Sequence, residues 1–395
     1  MLPLLLLAAG CASSGAGDGT EVAASVATPS PAATATPAAT ATPLPTATPA
    51  PTATSTPAPT ATPTPAPSCV ELLPDRVALA QLLLPLADPG QFPAVVDAAA
   101  AGDISGFVLL GAPSLDELGE LPRVDAAGVP LLWASDEEGG SVQRLDHLLG
   151  PLPAAASLPG TDVAAVTAQF DGYGSGMAEL GFDVAFAPVV DVGAGPGIDS
   201  RSFSDDPAVV AEYAAAVIAG YQAGGVTPVI KHFPGHGSGS ADSHLAFSTT
   251  PPLDELRTRD LLPFVDLVDA GALVMVGHLL VPGLTEDVPT SLSPEAIDGL
   301  LRTELGYDGV VVTDALGMAA VSQRWTNAEA AELALVAGAD LVILDDPTVA
   351  APVLDSLEAS LAEGNLTRAQ VDDSVERVLT LKATDPCSLE APPAS

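Results

Sequence analysis

Eight short apolar runs recur along this chain, and each is continuous rather than alternating. They are Leu79–Ala87, Gly106–Leu110, Pro130–Ser135, Val184–Val192, Thr227–His232, Ala272–Val276, Gly309–Thr313 and Asp340–Leu344. A strand with one face in water alternates apolar and polar side chains, whereas an unbroken apolar run belongs on a strand covered on both faces. The intervening stretches carry helix signals. Asp206-Pro207 opens a helix that ends near Gly220 or Gly224, and Ser293-Pro294-Glu295 opens another before Gly306. Eight such runs alternating with helices over about 320 residues predict an α/β fold, a single (β/α)8 TIM-type barrel. A doubly wound open sheet is the alternative.

The segments flanking these runs read differently. Residues 1–11 contain an apolar run, Leu2 to Gly10, followed by Cys11. That pattern predicts a lipoprotein-type signal segment with Cys11 as the lipidation site, or an ordinary signal peptide removed on export. The run is too short to span a bilayer. A lipid on Cys11 would make the membrane a partner through an anchor alone and place the protein outside the cell. Residues 12–68 form a linker, and from residue 24 onward it is almost entirely Ala, Thr, Pro and Ser. Such a composition buries too little to offset its ordering entropy, so this part is expected to be disordered. Its Ala-Thr-Pro units favour extended polyproline II, with a reach on the order of 100 Å. The folded domain is then residues 69–387, with residues 388–395 a disordered tail.

Charge and cysteine content narrow the function classes. Fifty acidic against 12 basic residues give a formal net charge of −38. A surface of that sign repels phosphate backbones, so nucleic acid is not an expected partner. Apart from Cys11, the cysteines are Cys69 and Cys387, one at each end of the folded domain. In an oxidising compartment they are expected to pair; two free thiols are the alternative.

Polar groups cluster where a barrel's active face would be. Asp136-Glu137-Glu138-Gly139-Gly140 follows the third run, Asp191 ends the fourth, and Arg201 lies in the loop after it. Lys231 and His232 end the fifth, His278 follows the sixth, and Asp314 directly follows the seventh. These are strand C-terminal ends, from which barrel enzymes build their sites. Asp345 and Asp346 follow the eighth run and are expected to cap the next helix. The densest cluster is Lys231 to His244, Lys-His-Phe-Pro-Gly-His-Gly-Ser-Gly-Ser-Ala-Asp-Ser-His, which holds His232, His236 and His244. A metal site built from His232, His236, Asp242 and His244 is one reading. Against it, Pro234-Gly235 breaks the helix on which a His-x-x-x-His pair ligates best. Acid–base chemistry is the other reading, with Asp242 two residues before His244 to orient its ring and favour the imidazolium.

These residues carry a resemblance. Lys231-His232-Phe233-Pro234-Gly235-His236-Gly237, four residues, then Asp242-Ser243-His244 resembles the signature of glycoside hydrolase family 3 β-N-acetylhexosaminidases. Asp136 to Arg144, Arg201-Ser202-Phe203 and Gly309 to Met318 resemble three further elements of that family, in family order. The resemblance implies a retaining β-N-acetylglucosaminidase on a (β/α)8 barrel. By position Asp314 matches the nucleophile, His244 the general acid/base and Asp242 its partner. Asp136, Arg144, Arg201, Lys231 and His232 match residues that hold the sugar, and His236 matches a position read as loop structure. No cofactor and no metal are implied. Ser141 departs from the pattern, standing where Arg is more frequent. Larger family members append a second domain, so here the barrel alone is expected to complete the site.

The expected substrates are terminal N-acetylglucosamine units of peptidoglycan fragments or chitooligosaccharides. A phosphorylase and a family 3 β-glucosidase are the enzyme alternatives. A neutral His244, once it has given up its proton, would let phosphate approach more readily than a carboxylate would. A non-catalytic wall-binding lipoprotein on the same scaffold is the alternative from another class, and the joint presence of Asp314 and His244 speaks against it.

Overall fold

The computed structural model describes residues 68–389; the expected signal segment with Cys11, the expected linker up to residue 67, and residues 390–395 lie outside the described part. Eight parallel strands close into a barrel in chain order: β1 Leu83–Ala87, β2 Gly106–Leu109, β3 Leu132–Ser135, β4 Val184–Ala185, β5 Thr227–Phe233, β6 Leu273–Val276, β7 Val311–Ala315 and β8 Leu341–Leu344. Closure runs through β1 and β8, with Leu83 opposite Val342 and Leu84 opposite Ile343. That pairing rules out the open sheet, whose edge strands stay unpaired. Leu273-Val274-Met275-Val276 and Leu341-Val342-Ile343-Leu344 are buried at every position, because helices cover one face and barrel side chains fill the other.

The helices start where the sequence supplies caps. Asp206 accepts from the Ala208 N–H and Pro207 takes the first turn of Pro207–Ala223. Thr326 with Glu329, and Thr367 with Gln370, form capping boxes on Asn327–Val336 and Arg368–Leu381. The stretch Glu295–Glu304 is π-helical, closing with Leu305 N–H on the Leu300 carbonyl.

Two apolar runs are only partly strand. Leu79 and Ala80 belong to a helix, Asp75–Ala80, that starts after Pro74, and the ladder begins at Leu83. A short buried helix and a buried strand look alike as apolar runs. In Val184–Val192 only the first two residues pair regularly. Pro188 has no N–H to give a ladder, and the rest of the run stays buried as irregular chain beside β5.

At the far end of the barrel from the active face, Cys69 and Cys387 are joined as a disulfide, with Cα atoms 5.1 Å apart and 318 residues between them in sequence. Past Cys387 the described chain continues: Pro386–Ser388 forms a 3₁₀ turn and Leu389 rests against the core.

Candidate active site

The C-terminal ends of the strands surround a cavity of about 520 Å³. It is lined on one side by Asp136, Glu138, Arg144, Arg201, Lys231 and His232, and on the other by Asp314, Gly317, Met318 and Asp345, with His244 at its rim. Apolar side chains of the strands, including Leu86, Val108, Met275 and Ile343, line it too.

Two strand irregularities aim the key side chains. Successive residues of a regular strand face opposite sides. The β5–β6 register shifts between Ile230 and Phe233, and both intervening residues, Lys231 and His232, line the cavity. The β7–β8 register shifts between Val312 and Ala315, with Asp314 inside the shift. Alternation alone would have sent one of the Lys231–His232 pair away from the cavity.

The polar wall is an ion-pair network. Lys231 Nζ, nearly inaccessible, donates to Asp136 Oδ1 at 2.6 Å and lies 2.7 Å from Glu138 Oε1. Arg201 grips Glu138 with two parallel bonds of 2.7 and 2.8 Å and also donates to the Gly197 carbonyl at 2.8 Å. Arg144 Nη2 lies 3.4 Å from Asp136. Burial raises the Asp136 pKa, but Lys231 and Arg144 outweigh it and hold the carboxyl at about 2. His232 donates through Nδ1 to Asp191 Oδ2 at 2.7 Å, while its Nε2 faces Arg201 Nη2 at 3.3 Å. Asp191 is wholly buried and also accepts the His236 N–H. The whole wall is therefore pre-organised, with donors and acceptors fixed before any ligand enters.

Asp314 is placed differently. Its Oδ1 accepts the Ala315 N–H at 2.8 Å, and it makes no ion pair with Lys or Arg among the described residues. Burial raises its pKa, yet the imidazoles of His232, His278 and His244 outweigh burial and leave the carboxyl below its ordinary value. His278 donates through Nε2 to the Ala315 carbonyl at 2.8 Å and accepts at Nδ1 from the Ser291 hydroxyl at 2.7 Å. Burial lowers its pKa, so a neutral ring buttresses the strand end that carries Asp314.

His244 sits on the loop after β5. Its Nδ1 lies 2.8 Å from Asp242 Oδ1, which also accepts the His244 N–H at 2.9 Å. That leaves Nε2 free to meet a ligand. Asp242 packs against Gly197, where an added Cβ would lie 2.9 Å from the Asp242 Cγ and φ is +81°. Only glycine fits that contact and that backbone. His236 is buried beneath the loop with Nε2 3.1 Å from the Ser243 hydroxyl. The four candidate metal ligands do not converge: the rings of His232, His236 and His244 engage Asp191, Ser243 and Asp242 instead. Among the described residues no group of three or more His, Cys, Asp or Glu is arranged to hold a metal ion.

Residues 117–381 match the model of the glycosyl hydrolase family 3 N terminal domain. The chain belongs to glycosyl hydrolase family 3. As a family 3 chain it is a glycoside hydrolase. It is 44% identical over 342 residues to beta-hexosaminidase LpqI of Mycobacterium tuberculosis, covering 81% of this chain and 87% of that one. It also superposes on a family 3 glycosyl hydrolase of Mycobacterium smegmatis with a TM-score of 0.74 at 42% identity, covering 79% of this chain and 98% of the other. A family 3 beta-N-acetylglucosaminidase from Paenibacillus matches with a TM-score of 0.73 at 32% identity, over 81% of this chain and 64% of that chain.

The cavity thus collects Asp136, Arg144, Arg201, Lys231, His232, His244 and Asp314, with Asp242 directly behind His244. Two residues read from the sequence only as polar groups at strand ends also serve it, Glu138 in the cavity wall and Asp191 buried behind it. Glu138 is the shared partner of Arg201 and Lys231, and Asp191 orients His232. Asp345 corrects an expectation. Asp346 does cap, accepting from the Thr348 N–H, but Asp345 points into the cavity and takes a bond from Asn327 Nδ2 at 2.9 Å. It packs so tightly on Gly317 that an added Cβ there would lie 1.8 Å from Asp345 Oδ1. The odd Ser141 is exposed in a turn outside the cavity lining.

Proposed function

We propose that the chain is a retaining exo-β-N-acetylglucosaminidase that removes terminal N-acetylglucosamine from peptidoglycan fragments or chitooligosaccharides. The observation that carries this reading is the pairing, across one cavity, of an ionised Asp314 with a His244 whose Nδ1 is taken by Asp242. Asp314 attacks the anomeric carbon while the His244 imidazolium gives the Nε2 proton to the departing glycosidic oxygen. The resulting ester between Asp314 and the sugar is hydrolysed in a second step. In that step the now neutral Nε2 removes a proton from water, and the water oxygen displaces the carboxylate. Asp242 keeps its bond to Nδ1 throughout and stabilises the imidazolium at both ends of the cycle. Asp136, Arg144, Arg201, Lys231 and His232 hold the sugar's hydroxyls in place.

The names of the relatives support N-acetylhexosamine as the sugar. We place the protein outside the cell, held by a lipid on Cys11 through the linker. The bond between Cys69 and Cys387 supports an oxidising compartment, and among the described residues no helix is long and apolar enough to cross a membrane.

The deciding experiment compares aryl β-N-acetylglucosaminide with aryl β-glucoside, each with and without inorganic phosphate. Hydrolysis confined to the first substrate and indifferent to phosphate is expected. Equal turnover of the glucoside, or a sugar phosphate as product, would replace this reading with one of its alternatives.

A further inference from the structure

We propose that Arg324 is a positioning residue that holds the His244 loop over the cavity. The proposal rests on the acid/base role given to His244 above. The loop after β5 has few anchors on its outer side. His244 itself is exposed, and Leu245 beside it keeps 74% of its surface. At the base of the loop the Ser240 N–H donates to the Thr249 carbonyl at 2.9 Å, and the stretch between them projects from that base. On the inner side, Asp242 rests on Gly197 and Ser243 on His236. On the outer side two contacts reach the short helix Ala319–Ser322 and the turn that follows it. One is a 3.4 Å bond from the Ala320 N–H to the Ser243 carbonyl. The other is the Arg324 guanidinium, 5.9 Å from the centre of the Phe247 ring, three residues after His244.

Arg324 is unusual in what it does not do. In a chain with 50 acidic residues it makes no ion pair among the described residues. Its guanidinium lies 4.6 Å from the centre of the Trp325 ring as well as against Phe247, and Nη1 donates to the Asp287 carbonyl at 2.6 Å. One side chain thereby ties together the loops after β5, β6 and β7, the three that frame the side of the cavity where His244 stands. A guanidinium suits this task because its plane stacks on rings while its edge still donates. Such a contact at an exposed site shifts a docked population only several-fold, which suits a loop that must open to release product.

The test measures kcat/KM for aryl β-N-acetylglucosaminides whose leaving groups span a range of pKa, using wild type, R324A, R324K, F247L, H244A and the H244A/R324A double variant. R324A and F247L should lose roughly 5- to 10-fold on poor leaving groups and about 2-fold or less on activated ones, because a misplaced acid matters only where protonation is needed. R324K, which keeps charge but not the plane, should recover part of the loss. In the H244A background R324A should cost nothing further, since the group it positions is gone. Unchanged melting temperatures separate this pattern from damage to the fold. The proposal is overturned by an equal loss across leaving groups, by a full further loss in the H244A background, or by a loss confined to substrates whose leaving group carries a carboxylate. If H244A itself shows no dependence on the leaving group, the acid/base assignment fails first; if H244A shows it and R324A does not, only the role of Arg324 fails.

Discussion

Lys231 Nζ lies 2.6 Å from Asp136 Oδ1 and 2.7 Å from Glu138 Oε1, the two carboxylates in its reach among the described residues. One buried cation therefore bridges two carboxylates, and Arg201 supplies the second positive charge from the other side of Glu138. Removing the cation leaves uncompensated buried charge, which is costlier than the pair itself was worth.

Lys231→Met should therefore destabilise the protein by roughly 3–5 kcal/mol at neutral pH and abolish sugar binding. The pH dependence has a defined sign. The Asp136 pKa is depressed to about 2 in the folded protein, so its contribution is present above the ordinary carboxylate value and lost as pH falls through about 2. The variant lacks the cause of that depression. Its deficit against wild type should shrink as pH drops from 5 to 3, measured by urea unfolding. A deficit independent of pH would show that Lys231 acts by packing alone.

Asp314→Ala should abolish turnover while leaving the unfolding midpoint close to wild type, because Asp314 sits at a strand end with a single hydrogen bond to its neighbour. A fluorinated sugar should become attached at Asp314 and be found there by peptide mapping. With its pKa held below the ordinary carboxylate value, Asp314 stays ionised as pH falls, so the acid limb of kcat/KM should lie below the usual carboxylate range. A label on any other residue would remove Asp314 from its role.

His244→Ala should depress rates most for poor leaving groups, and added azide should restore activity on activated substrates by attacking the trapped ester. Asp242→Asn keeps the 2.8 Å partner of Nδ1 but removes its charge, so it should lower activity, most of all for poor leaving groups. An Asp242→Asn variant that loses activity equally for all leaving groups would mean that Asp242 serves only to shape the turn.

Much of this arrangement was legible in the chain. Continuous runs such as Leu341–Leu344 fit strands covered on both faces, and eight of them in alternation with helices left little choice of fold, although Leu79 and Ala80 proved helical. The site residues stood out because charged groups at strand ends break the apolar pattern. What sequence could not supply was pairing across distance. Glu138 lies beside Asp136 and Glu137 in three consecutive acids, yet one carboxylate holds Lys231 and Arg144, the next is buried beneath Tyr173 and Ser135, and the third holds Arg201. Nothing local distinguishes the three. Asp345 and Asp346 are likewise adjacent, and only the turn of the backbone decides which one caps a helix and which one faces the cavity.

Lys382 gives a test on the opposite face of the barrel. Its ammonium is buried, donating to Gln81 Oε1 at 2.7 Å and to the Ser105 carbonyl at 2.9 Å. Burial outweighs the pull of Asp125 and Asp183 and lowers its pKa to about 7. Between about 7 and the ordinary lysine value the unfolded chain binds the proton that the folded one has released, so stability rises with pH across that window. Lys382→Met removes the group. The stability of wild type relative to this variant should therefore climb from pH 7 to 10, by at most about 1.4 kcal/mol per pH unit. A flat difference would mean that Lys382 keeps its proton in the folded state.

The disulfide between Cys69 and Cys387 makes the last prediction. It joins the two ends of the described domain, and Arg368 grips the same entering segment through the carbonyls of Val70 and Leu73. The bond closes a loop with 318 residues of separation, so in the chain-entropy account its main effect is to restrict the unfolded chain. Replacing both cysteines with serine should lower stability by about 2–5 kcal/mol. Turnover at 25 °C should not change, because the bond lies at the barrel end opposite the cavity. Arg368→Ala alone should loosen the entering segment without reaching that cost, since its bonds are partly exposed. Non-reducing peptide mapping should recover Cys69 linked to Cys387, and the reduced wild type should unfold at the same denaturant midpoint as the double serine variant. If reduction leaves the midpoint where it was, the bond does not hold the domain's ends together.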